Sequence, residues 1–141
     1  MNKVITVQAD QAAWKKRDWG NDNLPVVQSE RMEMHVTKVH ANSIGVAHIH
    51  ECDTLYYVLQ GTIISISGDN LDCIEPQSAG SFVHVPKNLL HTVVNISDDE
   101  DAISIVTHDA LDVCGATKMH PEHDEKLKDI FAKLKSKVDV A

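Results

Sequence analysis

The stretch that most constrains this chain is His48-Ile49-His50-Glu51-Cys52-Asp53-Thr54-Leu55-Tyr56-Tyr57-Val58-Leu59-Gln60-Gly61. In an extended strand successive side chains point to opposite faces, so the single residue between His48 and His50 turns both imidazoles the same way, at metal-bridging distance. A pair seldom holds a divalent ion alone, because catalytic sites usually take three protein ligands and leave a position open for water or substrate. His91 is the candidate for the third ligand.

This stretch resembles the first motif of the cupin superfamily, an H-x-H pair followed by a glutamate and then a glycine. The family's second motif resembles Gly80-Ser81-Phe82-Val83-His84-Val85-Pro86-Lys87-Asn88-Leu89-Leu90-His91-Thr92-Val93-Val94-Asn95, in which Gly80, Pro86, His91 and Asn95 keep the family's spacing. Three positions depart from the pattern. The family's glutamate ligand falls at Thr54, the glycine before the first histidine at Asn42, and the glycine after Pro86 at Asn88. Asn is the non-glycine residue that best tolerates positive φ, so both glycine replacements can leave their turns intact. Loss of the carboxylate is a chemical change.

The resemblance implies an all-β fold, a cupin-type antiparallel β-barrel or jelly roll, here with a C-terminal amphipathic α-helix. It implies a single cupin domain over residues 1–141, with the barrel core at about 24–110 and the helix at about 121–138. It also implies a divalent transition metal held by His48, His50 and His91, with Fe(II) first and Zn, Ni, Mn or Cu as alternatives. Imidazole suits several of these ions, so ligand chemistry alone does not choose among them. Three neutral imidazoles leave the ion its full charge, which favours anionic or chelating molecules. Cupin sites without the glutamate look like the three-histidine iron dioxygenases, which act on β-diketones or small thiols. Non-redox lyase, cyclase or isomerase chemistry is the alternative, and a non-enzymatic small-ligand-binding cupin is another. Thr54 and Tyr56 share the inward face and are the catalytic candidates: Thr54 as a hydrogen-bond partner of metal-bound water or substrate, Tyr56 as a substrate-orienting group or proton donor.

Composition narrows the partners. A net charge of −8 with mixed signs along the chain argues against duplex nucleic acid and against anionic membrane surfaces. The run Lys15-Lys16-Arg17 is too short to change that and reads as a solvated face. Cys52, Cys73 and Cys114 show no C-x-x-C spacing and are odd in number, which fits reduced thiols. The first residues lack a signal-peptide core and no apolar run approaches membrane-spanning length, so a cytoplasmic protein is expected.

Along the chain, Val4 to Val7 is β-prone, Asp10 can cap a brief helix carrying Trp14, and residues 20–23 break it. Leu24 to Gln28 reads as an edge strand because Pro25 cannot donate to a ladder. From Met32 the pattern alternates, with Met32, Met34 and Val36 on one face and Glu33, His35 and Thr37 on the other, as in a half-buried strand. Leu55–Leu59 and Thr62–Ser67 flank Gly61 as a hairpin, residues 67–70 form the next turn, and Leu71 to Glu75 runs up to Pro76. Phe82–Val85, Thr92–Ile96 and Ala102–Thr107 complete the strands. Pro121 suits a helix start, and Leu127, Ile130, Phe131, Leu134 and Val138 form one apolar stripe, with Glu122–Lys126 and Asp129–Lys133 as supporting pairs. That stripe must be buried, on its own barrel or on a partner. The expectation is a homodimer paired through the sheet surface, with the helix as a clamp.

Other candidates read more plainly. Glu51 and Asp53 are solvated turn residues, and Cys52 is a small buried or rim residue. His84 shares a strand face with Phe82 and reads as a hydrogen-bond donor behind the ligands or as a fourth nitrogen in the pocket. His108 and Asp109 are adjacent on a strand and so point apart. His35, His40, His120 and His123 read as surface or structural.

Overall fold

The structure is a computed structural model and describes residues 3–111 and 116–139. Cys114 lies outside the described residues. In chain order the strands are β1 (Lys15–Lys16), β2 (Asp22–Gln28), β3 (Glu33–Val39), β4 (Ser43–Ile44), β5 (His48–His50), β6 (Thr54–Gln60), β7 (Thr62–Ser67), β8 (Cys73–Ser78), β9 (Phe82–Val85), β10 (His91–Asn95), β11 (Ala102–His108) and β12 (Thr117–Met119). A short 3-10 turn at Pro121–His123 leads into α1, Asp124–Asp139.

The strands form two antiparallel sheets. The first runs β1-β2-β3-β11-β6-β9 and the second β12-β5-β10-β7-β8, with β4 on β10. They face one another as a jelly roll, and the inward faces close at one end over Val39, Val58, Ile63 and Ala102. On the outer side of the second sheet, Ala47, Ile64, Ile66, Leu71, Leu90 and Val94 pack beneath Leu127, Ile130, Phe131 and Leu134 of α1. The helix therefore covers its own barrel, and Leu127 is fully buried. Lys126 donates to the carbonyl of Asn70, and Lys135 reaches Asn42 and Asp98, tying the helix to loops at both ends. Glu122 pairs with His120, so the expected Glu122–Lys126 pair does not form.

Several sequence expectations change here. Val4 to Val7 forms no strand, and Val4 and Ile5 are exposed. The brief helix is a 3-10 turn at Ala9–Gln11 with Gln8 rather than Asp10 as its cap, and Trp14 follows it. Gly61 does not close a hairpin: β6 pairs with β11 and β9, whereas β7 pairs with β10 and β8. A one-residue connection between strands of different sheets must turn a corner. Gly61 does so at φ +74, where an added Cβ would meet the Asp101 carbonyl oxygen at 3.0 Å. Pro76 sits inside β8, which tolerates it as the edge strand. Pro25 lies at the irregularity where β2 slips against β3, between Pro25 and Val27. Asn42 and Asn88 take φ 53 and 66, as their replacement of glycine predicts.

The alternation in β3 is inverted relative to expectation. His35, Thr37 and Val39 are buried while Met34 is 45% exposed. The same holds in β11, where Ala102, Ser104, Val106 and His108 face in. The interior of this jelly roll is in part a polar cavity, which reverses the usual sense of the pattern.

Candidate metal centre

His48 and His50 lie on β5 and His91 begins β10, and the strands pair so that His91 stands opposite His48. All three are buried, and one ligand nitrogen from each lies within 4.8 Å of the others. The ring centroids are 4.4 Å apart for His48 and His91, 4.6 Å for His48 and His50, and 5.3 Å for His50 and His91.

Each ring is held through Nδ1. His48 Nδ1 donates to the Val46 carbonyl at 2.7 Å and His91 Nδ1 to the Leu89 carbonyl at 2.9 Å. A carbonyl only accepts, so both nitrogens carry the proton and Nε2 keeps a bare lone pair. His50 Nδ1 is 2.7 Å from the Thr117 hydroxyl, on a strand that the sequence pattern did not reveal. Such outer partners orient metal-binding histidines and raise their basicity. Burial, reinforced by His91 and His50, pushes His48 down to about 2. Burial with His91 and His108 beside it pushes His50 to about 3, and burial lowers His91. The rings are thus neutral at ordinary pH and bind a cation without first losing a proton. By donor chemistry and spacing, the triad fits a divalent transition metal.

The triad lines a cavity together with Thr54, Tyr56, Trp19, His35 and His108. About 70 Å³ of it is open to water-sized molecules, room for a few waters or for the reacting end of a ligand. Its walls mix aliphatic side chains such as Val39, Ile63 and Val106 with neutral polar groups such as Asn23, Thr37 and Ser104.

Thr54 faces in as expected, but its hydroxyl is 2.8 Å from His108 Nδ1 and is engaged there. Tyr56 also faces in, and its hydroxyl donates to the buried Gln77 amide oxygen. Burial raises the Tyr56 pKa, so the phenol remains protonated and serves as a fixed wall. His84 is not in the cavity. It is exposed, lies 3.1 Å from Asp53 Oδ1, and shares the outer face of the first sheet with Phe82. Cys52 is buried, and burial followed by the Asp109 charge pushes its thiol up to about 11, which removes nucleophilic character. Glu51 and Asp53 are rim residues, with Glu51 2.8 Å from Lys118. Asn95 of the second motif is structural: its amide donates to the Val39 and Glu100 carbonyls and its oxygen accepts from Ser97 N.

Trp19, His35, His108, Asn23 and Arg17 escaped the sequence reading as site residues. Trp19 stacks on His48 at 5.4 Å and meets His50 edge-on at 5.3 Å, so it fixes both rings from one side. His35 is buried rather than superficial, and its ring stacks on His108 at 4.9 Å. Asn23 is buried, and it satisfies both neighbours when its oxygen accepts from Arg17 Nε at 3.1 Å and its nitrogen donates to Thr37 Oγ1 at 3.0 Å. Arg17 is half-buried, unlike the exposed Lys15 and Lys16. One signal was available for the histidines: each shares strand parity with a small polar residue, His35 with Thr37 and His108 with Ser104.

Comparison with known proteins places the fold. The structure is similar to the polyketide cyclase RemF from Streptomyces resistomycificus, at 18% identity and a TM-score of 0.66, covering 75% of this chain and 79% of that one. It is similar to KdgF from Halomonas sp., at 19% identity and a TM-score of 0.63, covering 77% and 97%. It is also similar to Fe(II) HppE, at 18% identity and a TM-score of 0.65, covering 77% of this chain and 62% of that chain. No curated protein sequence matches the chain. Residues 35–108, just over half of the 141, match the family described as the cupin domain, and the chain therefore belongs to the cupin family.

Proposed function

We propose that the protein is a metal-dependent enzyme acting on a small anionic or chelating molecule, with oxygen-dependent chemistry of the three-histidine dioxygenase type as its reaction class. The observation that carries this reading is the set of three neutral imidazoles, each held through Nδ1, with no carboxylate at the family's glutamate position. His48, His50 and His91 would hold the ion, with Fe(II) first. When bound, such an ion supplies a Lewis-acid centre of undiminished charge and redox chemistry with oxygen.

The chain's own residues do the rest. Trp19 clamps the His48 and His50 rings, and Tyr56 and Gln77 shape the wall. A second reading, non-redox lyase, cyclase or isomerase chemistry, is favoured by one observation. His108, with its ring 5.6 Å from that of His50, is a neutral imidazole beside the triad, placed to hydrogen-bond a substrate without any redox role. The polyketide cyclase among the similar folds belongs to that class in name.

The test is oxygen uptake by the iron-loaded protein with a β-diketone and a small thiol as probes. Substrate-dependent uptake that is lost in His91→Ala supports the dioxygenase reading. Turnover without oxygen uptake transfers it to the non-redox class, and tight binding without turnover makes the protein a ligand-binding cupin.

We further place the protein in a reducing, cytoplasmic compartment, where the free thiols of Cys52 and Cys73 are stable. We also propose that it is a homodimer paired through the outer face of the first sheet. There Phe82 is 85% exposed, and Leu55, Leu59 and Met34 are about half exposed alongside it.

A further inference from the structure

We propose that the cavity holds a second divalent transition-metal site, formed by Glu33, His35 and His108. His35 and His108 are both buried and stand with stacked rings 4.9 Å apart, and Glu33 is the half-buried carboxylate beside them. Their placement follows from the sheet register: in the β3–β11 pairing Glu33 is directly opposite His108 and His35 is opposite Val106. The side chains of Glu33, His35 and His108 thus converge on one patch of the inner face.

Ligand spacing is the main argument. One ligand atom from each of the three lies within 4.8 Å of the others, the same limit that His48, His50 and His91 satisfy. His35 Nδ1 is 3.8 Å from Glu33 Oε1, too long for a hydrogen bond. It is close to the roughly 3.4 Å that separates two ligands on one ion with bonds of about 2.1 Å. The third ligand is already oriented: His108 Nδ1 is engaged by the Thr54 hydroxyl at 2.8 Å, which leaves Nε2 as its ligand atom. Thr54, at the position of the family's glutamate, thereby acts as an outer partner of the second group. The carboxylate that the first group lacks is supplied to the second by Glu33.

The two groups share one cavity, with the His50 and His108 rings 5.6 Å apart. Two ions there would carry more positive charge than one carboxylate offsets, and the Arg17 charge acts on His35 and His108 in the same sense. The second ion is therefore held more weakly than the first, and a bridging anionic ligand would strengthen it.

The test is titration of the full-length, metal-free protein with Co(II), read by equilibrium dialysis with elemental analysis and by the cobalt absorption spectrum. Wild type should take two equivalents per chain. His35→Ala and His108→Ala should take one, and His48→Ala should also take one but with a different spectrum. Glu33→Gln should keep the first equivalent and bind the second at least 10-fold more weakly. The retained first equivalent reports that each variant is folded, and His35→Gln carries the test if His35→Ala does not fold. One equivalent in wild type, abolished by His48→Ala and untouched by His35→Ala or His35→Gln, overturns the second site and leaves the first intact. Two equivalents that survive in His48→Ala contradict the first site instead.

Discussion

Five histidines, His35, His48, His50, His91 and His108, are buried around one cavity, and the carboxylate recorded beside them, Glu33, stands 3.8 Å from His35 Nδ1, beyond hydrogen-bonding distance. Burial, with the Arg17 charge adding to it, holds His35 at about 4 against an ordinary value of 6.5. Burial, followed by the charges of His35 and Arg17, holds His108 at about 3. In the unfolded chain these rings protonate near pH 6.5, while in the folded chain they stay neutral. The unfolded state therefore binds more protons between those values, and stability falls as pH falls. For the metal-free protein this predicts full stability above about pH 7 and a progressive loss from about pH 6.5 down to about pH 3, the His35 part complete near pH 4 and the His108 part near pH 3. His35 alone accounts for on the order of 3 kcal/mol of that loss. Urea denaturation of the metal-free protein at pH 7.5 and at pH 5 checks it. A midpoint unchanged between the two would mean that these rings are solvated in the folded chain. Bound metal should raise stability at both pH values without removing this slope, because the folded rings carry no proton for the ion to displace.

At the level of strands and helix, α1 is a cover for the second sheet, and Leu127 is its central contact with Ile66, Leu71 and Val94 beneath. Leu127→Ala should destabilise the fold by about 2–5 kcal/mol, measurable by denaturant melts. A cost below about 1 kcal/mol would show that the helix is loosely docked. Deleting everything after Met119 should expose the whole apolar floor and abolish cooperative unfolding. The stripe on α1 was legible in the sequence because a helix reports its buried face through spacing alone; what it packs against was not, and it proved to be its own barrel. The H-x-H pair was legible for a related reason, since period two in a strand fixes which side chains share a face. His35 and His108 were not, because alternation tells which residues share a face and not which face is inside. In β3 and β11 the inner face is the less apolar one, with Met34 and Ile105 turned out and His35 and Ser104 turned in. β12 was missed because three residues carry no pattern, yet it supplies Thr117 to His50. Gly61 looked like a hairpin turn because a local signal does not report a change of sheet.

In the molecule as a whole, the helix protects the outer face of one sheet while the other is bare. Tyr57 and Phe82 meet there with ring centroids 4.6 Å apart, beside Leu55 and Ile105. Each large side chain that such a face buries is worth about 1.5–3 kcal/mol, which favours pairing. Light scattering should give a dimer for the wild type and a monomer for Leu55→Lys combined with Phe82→Asp, both with the same circular dichroism. A dimer that survives the double substitution would place the interface elsewhere. The cavity lies between the sheets, away from that face, so metal binding should be unaffected by the change of assembly. The ion itself decides whether His48, His50 and His91 form a metal centre. Elemental analysis of protein purified without added metal, alongside His48→Ala, His50→Ala and His91→Ala, measures it most directly. At least one equivalent of a divalent transition metal per wild-type chain is expected, with the equivalent held by His48, His50 and His91 lost in each variant. Undiminished metal in all three variants would contradict it.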